Sequence, residues 1–237
     1  MKKLGLIGGT SWHSTIEYYR HINQYVNDYY GDNTNPPLLV YTLNQSLIHR
    51  LQIESKWNEI AELIITASRS LEKAGVENIM FCANTPHKVF NIVEQNINAQ
   101  ILHIADATAE AIRSKNVEKV CFLGTKYSMT ENFITGRIAS NGIEVLTPQD
   151  NPVINELHRI IQEELTYGSI IPQSKDYVID VIQSFVAEGA EGVILGCTEF
   201  PLMIKETDLK ISIFNTTEIH AIAGAKYILN DLSLIHI

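Results

Sequence analysis

Two short stretches hold residues suited to moving a proton on a small acid: "CANTP", Cys82 to Pro86, and "CTEFP", Cys197 to Pro201. Each follows a run of apolar residues, "VENIMF" and "AEGVIL", that reads as a strand giving way to a helix start. A thiol at such a place sits near free backbone N–H groups and a positive dipole end. Its pKa of about 8.5 is then pulled down, so it acts as a base or nucleophile near neutral pH. Cys197 has that setting, and its thiol is expected to be partly ionised. Asn84 and Thr85 at one end, and Thr198 at the other, would offer donors to a carboxylate; the competing reading is plain helix capping. Thr10 and Thr125 stand at two further strand ends and could complete a polar lining or act as caps.

The remaining candidates are weaker on spacing. Cys121 falls inside "KVCFLG" and reads as inert core. His87 lies three residues after Asn84 and is a candidate proton carrier, whereas the eight histidines as a set lack metal-ligand spacing. No metal site is expected. "GLIGGTSW" lacks the third glycine of a dinucleotide loop and the Lys-Ser/Thr of a P-loop, so no nucleotide cofactor is expected either.

The elements that must position these residues follow from periodicity. Eight β-branched or apolar runs, from "LGLIG" to "KISIF", alternate with amphipathic stretches, the rhythm of parallel sheets in an α/β protein. Ser14 and Glu17 have the spacing of a capping box. Trp57, Ile60, Ala61, Ile64, Ser68 and Leu71 form one helical face closed by Gly75; Tyr177, Val178, Val181, Ile182 and Phe185 form another before Gly189.

The chain also repeats itself. "GVENIMFCANT" runs beside "GAEGVILGCTE" at an offset of 114 residues (75 to 189), and "LIGGTSWHST" beside "CFLGTKYSMT" at 115 (Thr10 to Thr125). Two similar lobes are expected, 1–103 with 210–237 and 104–209, with the carboxyl ends of their strands lining a shared cleft. In this register Ala83, not Cys82, is the counterpart of Cys197. Cys82 matches Gly196 and, on a strand, points to the opposite face, so its default role is buried packing.

With 237 residues, 45% hydrophobic and 19% charged, the chain is long enough for real cores, and its net charge of -9 with no basic cluster argues against nucleic acid and anionic membranes. No apolar run is long enough to span a bilayer. Three widely spaced cysteines suggest a reducing cytoplasm. The terminal "LSLIHI" is expected to dock as a tail or serve an oligomer contact.

Several motifs together resemble the cofactor-independent aspartate/glutamate racemase superfamily: "GLIGGTSWHSTIEYYRHIN", "ANTPHKV", "LHIADAT", "LGTKYSM", "GVILGCTEFPLM" and "NTTEIHA". The resemblance covers nearly the whole chain. It implies two flavodoxin-like lobes, a homodimer, no pyridoxal phosphate or other cofactor, and two-base exchange of an α-proton by one cysteine from each lobe. Cys197 takes the second cysteine's role; Asn84, Thr85 and Thr198 take carboxylate contacts; Thr10 and Thr125 match lining positions; Arg50 stands where an arginine holds a side-chain carboxylate in aspartate-acting relatives. The departure is Ala83, at the place of the first cysteine, because a methyl group exchanges no proton.

Three functions are therefore expected in descending order. The first is an amino-acid racemase with impaired or atypical two-base chemistry, its second face served by Cys82, His87 or water. The second is a one-faced lyase or isomerase like the arylmalonate decarboxylases. The third is a non-enzymatic binder of small carboxylates.

Overall fold

The computed structural model describes residues 1–230, so "LSLIHI" and His236 lie outside the described residues. The described residues divide into two compact units, residues 1–104 with 217–230 and residues 105–216. Unit 1 runs through β1 (Leu4–Gly8), α1 (Trp12–Tyr30), β2 (Leu38–Thr42), α2 (Gln45–Ile53), α3 (Trp57–Lys73) and β3 (Asn78–Phe81). A 3₁₀ turn over Thr85–Val89, α4 (Phe90–Glu94) and β4 (Gln100–Ile101) follow, and α5 (Ile104–Ser114) leads out. Unit 2 contains β5 (Lys119–Gly124), α6 (Lys126–Thr130), α7 (Asn132–Ala139), β6 (Glu144–Leu146) and α8 (Asn151–Arg159). It ends with α9 (Pro172–Ala187), β7 (Gly192–Gly196), α10 (Phe200–Met203) and β8 (Ser212–Asn215), before α11 (Thr216–Leu229) returns to unit 1.

Both sheets are parallel and have the same order, β2-β1-β3-β4 and β6-β5-β7-β8. All eight expected strands are present. The expected lobe boundary at 210 is moved by β8, which pairs with β7 in the second sheet, so the chain re-enters unit 1 only at Thr217.

The first sheet is covered on both faces, which is why β1 and β3 are buried along their whole length. Ile7, Ile79 and Phe81 pack with Ile48, Ile60 and Ile64 of α2 and α3. Leu4, Leu6, Met80 and Cys82 point the other way, into a cluster with Tyr18 and Ile22 of α1 and Ala221 and Ala225 of α11. Each buried aliphatic side chain contributes about 1.5–3 kcal/mol, so this alternation fixes the strand register. The helical face ending at Gly75 is α3, and its counterpart ending at Gly189 is α9; both glycines are left-handed, at φ 80° and 95°.

The register of the repeat is sharper than the sequence implied. Asn78 pairs with Leu4 as Gly192 pairs with Val120, so β3 and β7 keep the offset of 114 while β1 and β5 are 116 apart (4 to 120). The helix caps are again 114 apart: Ser11 caps α1 by accepting from Ser14 N–H, and Thr125 caps α6 by accepting from Ser128 N–H. The first turn is therefore two residues longer, and Thr125 corresponds to Ser11 rather than Thr10. Gly9, at φ 82° with the Leu43 backbone where a side chain would stand, makes the longer turn possible. Ser14 is consequently inside α1 and does not cap it.

Candidate active site

In unit 1 the strand end after β3 is fastened by backbone and buried polar groups. Cys82 N–H continues the ladder to Ile7 O at 2.9 Å, and Ser14 Oγ donates to Cys82 O. His87 Nδ1 lies 3.0 Å from Ala83 O and 3.2 Å from Asn84 O, while its Nε2 accepts from Ile104 N–H at 3.3 Å. Two carbonyl neighbours require the proton on Nδ1, and an N–H donor requires a lone pair on Nε2, so this network assigns a neutral ring with both nitrogens engaged. Asn84 and Thr85 are buried, and Asn84 makes no side-chain capping bond to the turn it opens. Capping thus does not account for Asn84.

Cys82 sits among the apolar side chains shared with α1 and α11, where burial drives its thiol pKa well up. Ala83 follows at 9% exposure with no titrating group. Thr10 is buried and its carbonyl receives His49 Nε2 at 3.1 Å, which ties α2 to the first turn. Arg50 is exposed on α2, and its charge acts on the Glu54 carboxylate at the end of that helix. A second buried network lies nearby in the same unit: Tyr18 Oη is 2.7 Å from His220 Nδ1, His220 Nε2 is 2.9 Å from Leu102 O, and the His87 and His103 rings stack at 4.4 Å.

In unit 2, β7 ends at Gly196, whose bare Cα lies against the Phe122 ring, and Cys197 follows with 7% exposure. Its Sγ is 3.0 Å from Glu199 Oε2, which also accepts from Thr198 Oγ1 at 2.7 Å. Glu199 is itself only 6% exposed. The expected lowering of the thiol pKa is overturned. Burial raises it first, the Glu199 charge and hydrogen bond raise it further, and backbone N–H groups of Glu199 and Thr198 offset this only in part. The helix beyond is the four-residue α10, too short for a dipole that would outweigh these terms. Cys197 therefore rests as a thiol donating to a carboxylate. Cys121 lies inside β5, and burial pushes it up to about 12. Thr125 is engaged as the cap of α6, with Ser128 Oγ 3.2 Å from its hydroxyl.

The contact missed in the sequence is Cys197 with Glu199. Its signal was the i, i+2 spacing, which on an extended strand puts two side chains on one face; here the backbone turns at Glu199, so spacing alone did not reveal the contact. Among the described residues no group of three His, Cys, Asp or Glu side chains is arranged to hold a metal ion, and no helix is long and apolar enough to cross a membrane.

Paired parallel four-stranded units of one topology, with "ANTP" and "CTEFP" at equivalent strand ends, define the two-lobed α/β class to which the Asp/Glu racemases belong. Residues 7–223 match the Asp/Glu/Hydantoin racemase family, and the chain belongs to that family. A Yersinia pestis protein assigned as an Asp/Glu racemase is 43% identical, with a TM-score of 0.90 over 97% of this chain and 100% of that one. An aspartate racemase homologue from Pyrococcus horikoshii OT3 is 38% identical, with a TM-score of 0.84 over 97% and 100%. The broad specificity amino-acid racemase RacX of Bacillus subtilis is 21% identical over 218 residues, 90% of this chain and 92% of that protein.

Proposed function

We propose that this protein exchanges the α-proton of a small amino acid, as a racemase of the aspartate/glutamate type whose working thiol is Cys197 and whose first-cysteine position is taken by Ala83. The observation that carries this reading is the buried Cys197 thiol at the end of β7, hydrogen-bonded to Glu199 and flanked by Thr198. Thr198 beside Cys197 is the candidate carboxylate contact in unit 2, and Asn84 and Thr85 are those that the family's pattern assigns in unit 1, for a carboxylate on which negative charge builds as Cα loses its proton. Thr10 and Thr125 are the candidate lining residues of their units. Arg50, exposed on α2, is the candidate for a substrate side-chain carboxylate. Cys197 works on one face of Cα.

For the other face, the neutral, doubly engaged His87 and the apolar setting of Cys82 both speak against a proton carrier in unit 1. Water is then the remaining donor, which predicts exchange without efficient racemisation. No cofactor enters the scheme. A cytoplasmic homodimer belongs to the same reading, and sedimentation equilibrium tests the dimer. Incubation with L- and D-aspartate, L- and D-glutamate and a wider amino-acid panel in D₂O should give enzyme-dependent deuterium at Cα; a panel with none ends the proposal.

A second reading is favoured by the resting protonation state. A thiol held as S–H is ready to donate, so a lyase or isomerase that protonates a planar enolate from one side would use Cys197 as it stands. It predicts a single product stereoisomer from an arylmalonate-type diacid.

A further inference from the structure

We infer that Lys126 and His158 form a specificity site for the distal carboxylate of a dicarboxylic amino acid, in the same unit as Cys197. This inference rests on the proposed function for the reaction and on contacts within unit 2 for its geometry. Gly124 pairs with Gly196 in the parallel ladder, so Thr125–Lys126 and Cys197–Thr198 leave neighbouring strands side by side. Such strands stand about 4.8 Å apart, which sets the exposed Lys126, on its flexible stem, close to the strand end that carries the thiol. α8 packs against β5 and α6 and brings His158 to the same place. The Tyr127 ring lies between the two: its centroid is 6.1 Å from that of the His158 ring and 5.2 Å from Lys126 Nζ.

Both side chains lack an anionic partner. Lys126 makes no salt bridge with a described residue, and Glu156, on the helix that carries His158, is held instead by Arg159 at 2.7 Å. His158 Nδ1 is buried and has no hydrogen-bond partner among the described residues, a state in which buried ring nitrogens are seldom left. Burial first, and then the Lys126 charge, lower the His158 pKa, so the ring is neutral and carries one N–H. A carboxylate placed here would take a charge-assisted bond from Lys126 and, with the ring proton on Nδ1, a second bond from His158. A cationic side chain would be repelled by the ammonium. Lys126 also offsets the repulsion that the Glu199 carboxylate, beside the thiol, would exert on an anionic substrate. Lys126 thus supplies charge and His158 direction.

Calorimetric titration with two plain acids tests the site without turnover. Succinate carries a distal carboxylate where butyrate has a methyl group, and the wild-type protein should bind succinate about tenfold more tightly. In Lys126→Met this preference should fall to about twofold or less, with butyrate binding unchanged. Lys126 is exposed, so the change leaves the core intact. Lys126→Arg should keep the preference. His158→Phe, which retains a ring against Tyr127 and removes both ring nitrogens, should reduce it about threefold. A preference that survives Lys126→Met or His158→Phe overturns the inference, and so does a loss shared equally by both acids or a wild-type protein that binds neither. A preference lost in Arg50→Met but kept in Lys126→Met would give the carboxylate to unit 1 instead. In D₂O, Lys126→Met should slow Cα exchange of aspartate and glutamate about tenfold relative to asparagine and glutamine; an unchanged ratio overturns the inference. A wild-type protein that exchanges no amino acid would defeat the proposed function, while the two titrations would still decide the role of Lys126 and His158.

Discussion

Tyr18 Oη stands 2.7 Å from His220 Nδ1, so the first helix of unit 1 is bonded to the helix that returns to it at the far end of the chain. His220 accepts that hydrogen bond and gives its Nε2 proton to Leu102 O at 2.9 Å, an arrangement that only the neutral ring supports. Burial holds its pKa at about 4, with the Leu102 bond pulling weakly the other way. The unfolded chain has histidine near 6.5. Between these values the unfolded state binds a proton that the folded state refuses, so stability is intact above about 6.5 and falls as pH drops towards 4, by up to about 3 kcal/mol. Urea unfolding from pH 7.5 to 4.5 should record this fall. His220→Gln, which can keep both hydrogen bonds without titrating, should flatten the slope.

Ala83→Cys should raise racemisation of whichever amino acid exchanges its α-proton. A placed acid or base contributes about 10²- to 10⁴-fold, and the gain should be read as polarimetric racemisation rather than exchange alone. No gain in a folded variant would remove Ala83 as the reason for slow inversion.

The two cysteines nearest the strand ends should separate cleanly. Cys197→Ser should lower Cα exchange by at least about 10²-fold at unchanged stability. Cys82→Ala should leave exchange within about threefold but cost roughly 1 kcal/mol, because it removes a buried atom from the cluster of Leu4, Leu6 and Tyr18. Isotope exchange and urea unfolding on the same preparations distinguish these outcomes.

His87→Ala should destabilise unit 1 by about 1–3 kcal/mol, since Ile104 N–H and the Ala83 carbonyl lose a buried partner. The shape of the pH–exchange profile should not change in the folded fraction. A lost limb of that profile would mean that the ring carries protons after all.

Much of this architecture was readable from periodicity. The eight strands, the two helices closed by Gly75 and Gly189, and the correspondence of β3 with β7 all rest on local pattern. What escaped were features set by tertiary contacts. The two-residue extension at Gly9 and Thr10 is invisible in a gapless match, because Thr10 against Thr125 looks as good as Ser11 against Thr125 until the caps are seen. The attachment of β8 to the second sheet depends on a strand partner far along the chain. The ionisation of Cys197 was misjudged because helix position was legible while burial and the returning Glu199 carboxylate were not. The engagement of both His87 nitrogens had no local signature, since one of its partners, Ile104, is seventeen residues away.

The bonds that fasten the turn after β3 run through the amide of Cys82, the carbonyls of Cys82, Ala83 and Asn84, the hydroxyl of Ser14 and the ring of His87. None of them uses the side chain of residue 83. The bonds that hold this turn therefore survive a change of the side chain at residue 83. What such a change costs is set by its burial at 9% exposure, which leaves small uncharged replacements as the ones able to alter reactivity while the lobe still assembles.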